Sequence, residues 1–169
     1  MKTIPVKTLY LQMHGPPEAT IPPPTEGIEV ARVERPEIAF YRALYDVVGR
    51  DWNWINRRLM SDDELRAIIH DDRVEFHVLY VQGTPAGFCE MDRRADGEVE
   101  LVYFGLAPEF IGQGLGKYFL NRMLLEAWSY APKRVWLHTC ELDHEAALST
   151  YQKAGLAVYH ERVIMQKVL

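Results

Sequence analysis

The stretch GLAPEFIGQGLGKYFL, residues 105–120, sets Gly112, Gly114 and Gly116 at alternate positions where a helical pattern begins. Bare backbone there leaves several amide N–H groups directed outward at the positive end of a helix dipole, which suits an anion. Glycine fits the role because no side chain keeps oxygens from the amides and because the dihedrals of such a nest are open to it. The chemistry implied is the holding of a phosphate or diphosphate. Two well-known versions of such a loop do not match. Gly116-Lys117 is followed by Tyr118 where a Walker loop needs serine or threonine, and the glycine spacing is wrong for a dinucleotide fingerprint.

Other reactive side chains are few. His138 either acts as a base or bonds to a neighbour in a core. Cys140 has no lysine or helix start beside it, so an inert thiol is expected, and with Cys89 it makes neither a metal spacing nor a disulfide framework. No metal is expected. In VGRDWNWINRRLM, residues 48–60, Trp52, Trp54 and Arg57 either form a pocket for an apolar acceptor bearing a carboxylate or pack a helix pair onto a sheet.

Periodicity gives the elements that must position these groups. Thr8 to Met13 reads as a strand, and the five prolines between Pro16 and Pro24 make an extended tether. Ile28 to Val33 is a short strand. Ile38, Tyr41, Leu44, Tyr45 and Val48 recur at helical spacing up to Gly49, and Ser61 with Glu64 has the form of a capping box. FHVLYV, AGFCEMDRR and EVELVYFGL, parted by turns at Gly83 and Asp96-Gly97, form an antiparallel meander. The helix after the glycine loop buries Leu120, Met123, Leu124, Ala127 and Ala131 and turns Lys117, Asn121, Arg122 and Glu126 outward. RVWLHT is a strand, a helix runs from about His144 to Ala154, and a last strand or two follows Leu156. Strand, glycine loop, helix, strand is a parallel crossover grafted on an antiparallel meander, an α/β domain.

A chain of 169 residues, 48% apolar and 25% charged, is one folded domain. The net charge of −5 comes without a basic run, which excludes a nucleic-acid partner. No stretch is long enough to cross a membrane, and the first residues, broken by Pro5, Lys7 and Gln12, are no secretory signal, so a cytoplasmic protein is expected.

VELVYFGLAPEFIGQGLGKYFL and RVWLHTCELDHEAALSTYQKAGL resemble the GNAT superfamily of N-acetyltransferases, whose acyl-CoA motif Q/R-x-x-G-x-G/A reads here Ile111-Gly112-Gln113-Gly114-Leu115-Gly116. The resemblance runs from Val74 to Arg162 and extends back to Ile28. It divides the chain into an N-terminal strand and tether, residues 1–27, and a GNAT domain, residues 28–169. It implies a mixed, mostly antiparallel sheet flanked by helices, with a splayed parallel strand pair as the acyl-CoA slot. Acetyl-CoA would pair with backbone at Phe104, Gly105 and Leu106 and set its diphosphate on residues 111–117. Ile111 stands where the family has arginine or glutamine, which weakens that grip, and Lys117 restores some charge. His144 takes the place of a usual asparagine, just after Asp143, a helix cap.

The implied reaction moves an acetyl group directly to a primary amine of a small molecule or protein. It needs a base for the amine proton and an acid for the departing thiolate. Glu100 matches the general-base glutamate of the histone-acetylating branch, and strand alternation sets it on the same side as Val102 and Phe104. Its plain reading is a solvated carboxylate beside Glu98. Glu90, His138 or a water chain are the alternatives. Tyr151 matches the family's general acid four residues before a glycine. Trp52, Trp54, Arg57 and His138 fall on the acceptor side. The rival reading is a GNAT-like module that binds acyl-CoA without turnover. A homodimer follows if the N-terminal strand completes a neighbour's sheet; otherwise that strand covers its own acceptor cleft.

Overall fold

The computed structural model describes all 169 residues. Alternation and turn chemistry build the expected meander: β3 (Val74–Val81), β4 (Thr84–Asp92) and β5 (Glu98–Leu106) pair antiparallel in sequence order, with β2 (Ile28–Arg32) on the outer side of β3. The helical stripes give α1 (Ile38–Gly49), α2 (Asp62–Ile69), α3 (Leu115–Trp128) and α4 (Ala147–Lys153). The capping box at α2 forms, with Ser61 Oγ accepting from the Glu64 amide and the Glu64 carboxylate accepting from the Ser61 amide. No helix is long and apolar enough to cross a membrane.

The remaining strands are β1 (Lys2–Met13), β6 (Arg134–Cys140) and β7 (Ala157–Val168), and the seven-stranded order is β2-β3-β4-β5-β6-β1-β7. β1 is twice the expected length and lies between β6 and β7, antiparallel to both. The expected boundary at residue 27 therefore does not part the sheet, because the chain's first strand joins its last two. Both edges of the strand are paired within the chain, with β6 on one side and β7 on the other.

One pair is parallel. β5 and β6 align only at Glu98–Arg134, Val99–Val135 and Glu100–Trp136 and then diverge, although β5 continues to Leu106 and β6 to Cys140. The expected splay is present. α1 and α2 cover one face through Tyr41, Leu44, Tyr45, Val48, Leu65 and Ile69 packed on Phe76, Val78 and Phe88. α3 and Tyr151 of α4 close the other face over Leu11, Leu79, Cys89, Met91 and Leu101.

Two expectations about α3 fail. Ala131 is exposed beyond its end at φ +51°, and Asn121, expected outward, is buried. The tether explains the second. It lies along α3, where Asn121 accepts from the Ile21 amide at 2.9 Å and donates to the Ala19 carbonyl at 2.9 Å, an amide side chain replacing strand partners the prolines cannot provide. Asn121→Ala should leave two backbone groups unpaired and destabilise the fold by about 1–2 kcal/mol, read as a fall in urea midpoint.

Candidate active site

The glycine loop is built as a nest. β5 ends at Leu106, a single 3-10 turn spans Pro108–Phe110, and Gly112 and Gly114 then take φ +86° and +78°, a conformation open to glycine and costly for other residues. Gly114 is the N-cap of α3, and no side chain caps that helix. A Cβ at Gly112 would meet nothing within 4 Å; at Gly114 only Pro24 of the tether comes near, at 3.7 Å. Gln113 turns away, donating to the Glu109 carbonyl at 3.0 Å. The amides around residues 112–116 are thus unobstructed. Ile111 and Lys117 are exposed at the loop's two ends.

The slot between the diverging strands begins beside this loop. Phe104 lies on Phe119 of α3, ring centres 5.2 Å apart, and edge-on to Tyr151, 6.2 Å away. Burial first, then Asp143 and Cys89, push the Tyr151 phenol up, so it stays protonated at neutral pH. Gly105 has a steric reason: a Cβ there would lie 2.7 Å from Val48 of α1 and 3.2 Å from Trp54. α4 starts later than expected, at Ala147. Asp143 does not cap it but closes the turn after β6, accepting from Thr139 Oγ1 at 2.5 Å and the Cys140 amide at 2.9 Å. His144 accepts from the Ala146 amide and stands edge-on to Trp52, ring centres 5.1 Å apart.

Glu100 lies on the opposite face from Phe104, contrary to the alternation read from sequence. Glu90 faces Tyr103 and Met91 faces Leu101, so β5 carries one extra residue at Val102. This bulge flips the remainder of the strand. The flip matters: Glu100 points to the α1–α2 face of the sheet, whereas Phe104 faces α3 and the slot. Glu100 lines a cavity of about 330 Å³ with Asp92, Arg94, Ala95, Glu98 and Trp136, at the last aligned pair before β5 and β6 part. Asp92 is held by Arg94 and Glu98 by Arg134, each at 2.8 Å, whereas no side chain pairs with Glu100. Burial, then Asp92 and Glu90, raise its carboxyl to about 7.

Two other candidates are occupied elsewhere. Glu90 is buried, bonded to the Tyr41 hydroxyl and to Arg57 Nη2 at 2.5 Å. It is a structural carboxylate, which removes it as reserve base, and Arg57 is committed to it and not free for an acceptor carboxylate. Burial alone would lower the Arg57 pKa; Glu90 outweighs it and keeps the guanidinium charged. Trp54 packs against Tyr45, Phe88 and Tyr103, so it roofs β5 as packing. Cys140 is half-buried and its thiol pushed up by burial, in line with an inert group.

His138 is no core histidine. It stands exposed on the Glu100 face of the sheet, beside Tyr10 of β1 at 5.6 Å and Trp136 at 6.5 Å, with His160 on the other side of Tyr10 at 5.5 Å. Asp92, Trp136 and Tyr10 were missed as site residues. The first was legible as the partner of Glu100 across the hairpin, and Trp136 as the residue two before His138. Nothing in the sequence linked Tyr10 to them.

The family model described as "Acetyltransferase (GNAT) family" matches residues 41–156. No curated protein matches the chain. Among solved structures, the chain is similar to a GCN5-related N-acetyltransferase from Sphaerobacter thermophilus, at 20% identity and TM-score 0.65 over 98% of this chain and 53% of that one. An aminoglycoside acetyltransferase from an uncultured soil metagenomic sample gives 11% identity and TM-score 0.66 over 85% and 97%, and an IAA acetyltransferase from Bacillus cereus gives 17% and 0.61 over 79% of each. The chain spans about half the length of the Sphaerobacter protein, and at these identities the likeness concerns the fold. With more than half its residues matched by the family model and the sheet, splay and glycine loop in place, the chain belongs to the GNAT family of acetyltransferases.

Proposed function

We propose that this protein transfers an acetyl group from acetyl-CoA directly to a primary amine, with Glu100 as general base and Tyr151 as general acid. The observation that carries it is the unpaired Glu100 carboxylate, raised to about 7, in a cavity at the point where β5 and β6 separate. The residues present fit the coenzyme: the nest at Gly112 and Gly114 has room that a Cβ would fill, α3 lacks a side-chain cap, and the strand pair opens beside it. Residues 111–117 would hold the diphosphate and Phe104 to Leu106 the pantetheine arm. When bound, acetyl-CoA supplies an activated thioester as acyl donor.

An alkylammonium has a pKa of about 10, so a free amine is rare at neutral pH and a base must hold it uncharged. A carboxyl raised to about 7 is matched to that work, since it ionises around neutrality and still accepts a proton readily. Asp92 and Glu98 add negative charge around the cavity, and Trp136 offers an indole face, a combination that favours a cationic amine. On the other face Tyr151, kept protonated by burial, holds a proton at its hydroxyl and packs edge-on to Phe104. Tyr151→Phe should lower kcat about 10-fold to 100-fold with acetyl-CoA affinity unchanged, checked by steady-state rates beside calorimetry. Wild-type rates would return Tyr151 to packing.

The acceptor is a small molecule or an exposed protein amine, and the free thiols Cys89 and Cys140 suit a reducing cytoplasm. Ile111, an exposed apolar residue at the first motif position, favours a second reading, an acyl-CoA-binding module without turnover. Release of CoA thiol over a panel of amines separates the two. Saturable, amine-dependent release is the expected result; tight binding with no release for any amine would establish the module.

A further inference from the structure

The chain between β1 and β2 passes beside the glycine loop, and it is fixed on both sides of that passage. At one end Asn121, about two turns into α3, accepts from the Ile21 amide and donates to the Ala19 carbonyl, both at 2.9 Å, while Ile21 packs against the core beneath the helix. At the other end the turn between β3 and β4 holds it. The Gln82 amide donates to the Gly27 carbonyl at 2.8 Å, and the Gln82 side chain donates to the Glu26 carbonyl at 3.2 Å. Gly27 takes φ +77°, and a Cβ there would run into the Gln82 side chain. Between these anchors stand Pro22, Pro23 and Pro24, all exposed, their φ angles fixed by their rings.

The lengths match. From Asn121 back to Gly114 the helix rises about 10 Å, at about 1.5 Å a residue, and the three steps of proline-type chain from Ile21 to Pro24 cover about 9 Å. A stiff strap therefore runs antiparallel to α3 and brings Pro24 to the N-cap, its Cβ 3.7 Å from where a Gly114 Cβ would lie. It stands beside the nest without occupying it, since none of the amides at 112–116 donates to the strap. We propose that the strap is a positioning element of the coenzyme site, with Pro24 as the backstop that keeps the left-handed turns at Gly112 and Gly114 aimed at the diphosphate. This rests on the reading of the nest as the diphosphate site. The reason is entropic. Glycines that reach these dihedrals leave them as easily, so a loop without a backstop would have to be ordered at each binding event, at a cost in affinity. The strap lies outside residues 41–156, so a segment beyond the matched family domain sets how tightly this chain holds its coenzyme.

Calorimetry with two donors tests this: acetyl-CoA, and S-acetylpantetheine, which has the same thioester arm without diphosphate or nucleotide. The triple variant P22G/P23G/P24G keeps both anchors and leaves the core intact. It should raise the Kd for acetyl-CoA about 10-fold and leave that for S-acetylpantetheine within about 2-fold of wild type. Asn121→Ala, which frees one anchor, should give the same selective loss when measured well below its Tm. Pro24→Ala keeps the Cβ beside Gly114 and should stay within about 3-fold of wild type for both donors. Unchanged acetyl-CoA affinity in the folded triple variant overturns the proposal. So does an equal loss for both donors, which marks a general loosening of the fold. A wild-type protein that holds the two donors equally fails one step earlier, at the nest itself, and removes the role of the strap with it.

Discussion

Glu100→Gln should fold, bind acetyl-CoA as the wild type does, and lose about 100-fold to 1000-fold in kcat/KM for the amine, the range expected when a positioned general base is removed. The side chain is nearly isosteric, so the cavity among Asp92, Glu98 and Trp136 keeps its shape. Only the capacity to take the amine proton is gone. One pH dependence distinguishes this from a merely structural role, and a second follows from burial alone. In the wild type, turnover should rise as pH passes through about 7, where the Glu100 carboxyl ionises, and the variant should lack that limb. The stability effect has the opposite sign. Burial beside Asp92 and Glu90 raises the folded-state pKa from 4.5 to about 7, so the protonated carboxyl favours the fold at low pH and that stability is lost as pH climbs to 7. The Tm of Glu100→Gln should therefore gain on the wild type between these values. A variant with wild-type rates and an unchanged pH profile would leave Glu100 a solvated strand residue.

Gly114→Val is expected to raise the dissociation constant for acetyl-CoA about 100-fold, equivalent to roughly 2.7 kcal/mol, by calorimetry. Gly114 holds φ +78°, which a β-branched residue adopts only at a cost of about 1–2 kcal/mol, so the loop relaxes and its amides lose their common aim. The nearest atom to a Cβ there is Pro24 at 3.7 Å, ordinary contact, so the loss does not come from a clash with the core. Gly116→Ala is the matching control. It sits inside α3 with an ordinary φ and only Leu106 near, at 3.7 Å, and should change affinity much less.

Local pattern accounts for what the sequence made legible. The meander, the two helices of the α1–α2 face, the capping box at Ser61 and the glycine nest each rest on periodicity or on residues a few positions apart. The splay of β5 from β6 was implied by resemblance and is visible in the three-pair register. What escaped was non-local or counted by single residues. The place of β1 between β6 and β7 depends on which strand edges remain open after the rest has folded, and alternation along one strand carries no such information. The extra residue at Val102 leaves the composition of β5 unremarkable yet reverses which face Phe104 takes. Arg57 and Glu90, 33 residues apart, looked like independent polar groups until the α1–α2 connection and β4 brought them to 2.5 Å. Asn121 reads as surface in any helical wheel, because the tether that buries it arrives from a hundred residues earlier.

In the proposed reaction the site divides its work between the two faces of one sheet. The nest and Tyr151 lie with α3 and α4, Glu100 and its cavity with the opposite face, and the gap between β5 and β6 connects them. A crystal grown with excess acetyl-CoA tests this arrangement most directly. The diphosphate should accept from the amides of residues 112–116, and the thioester should emerge between β5 and β6 within reach of the Glu100 cavity. Coenzyme bound elsewhere, with the glycine nest and that gap both closed, would contradict it.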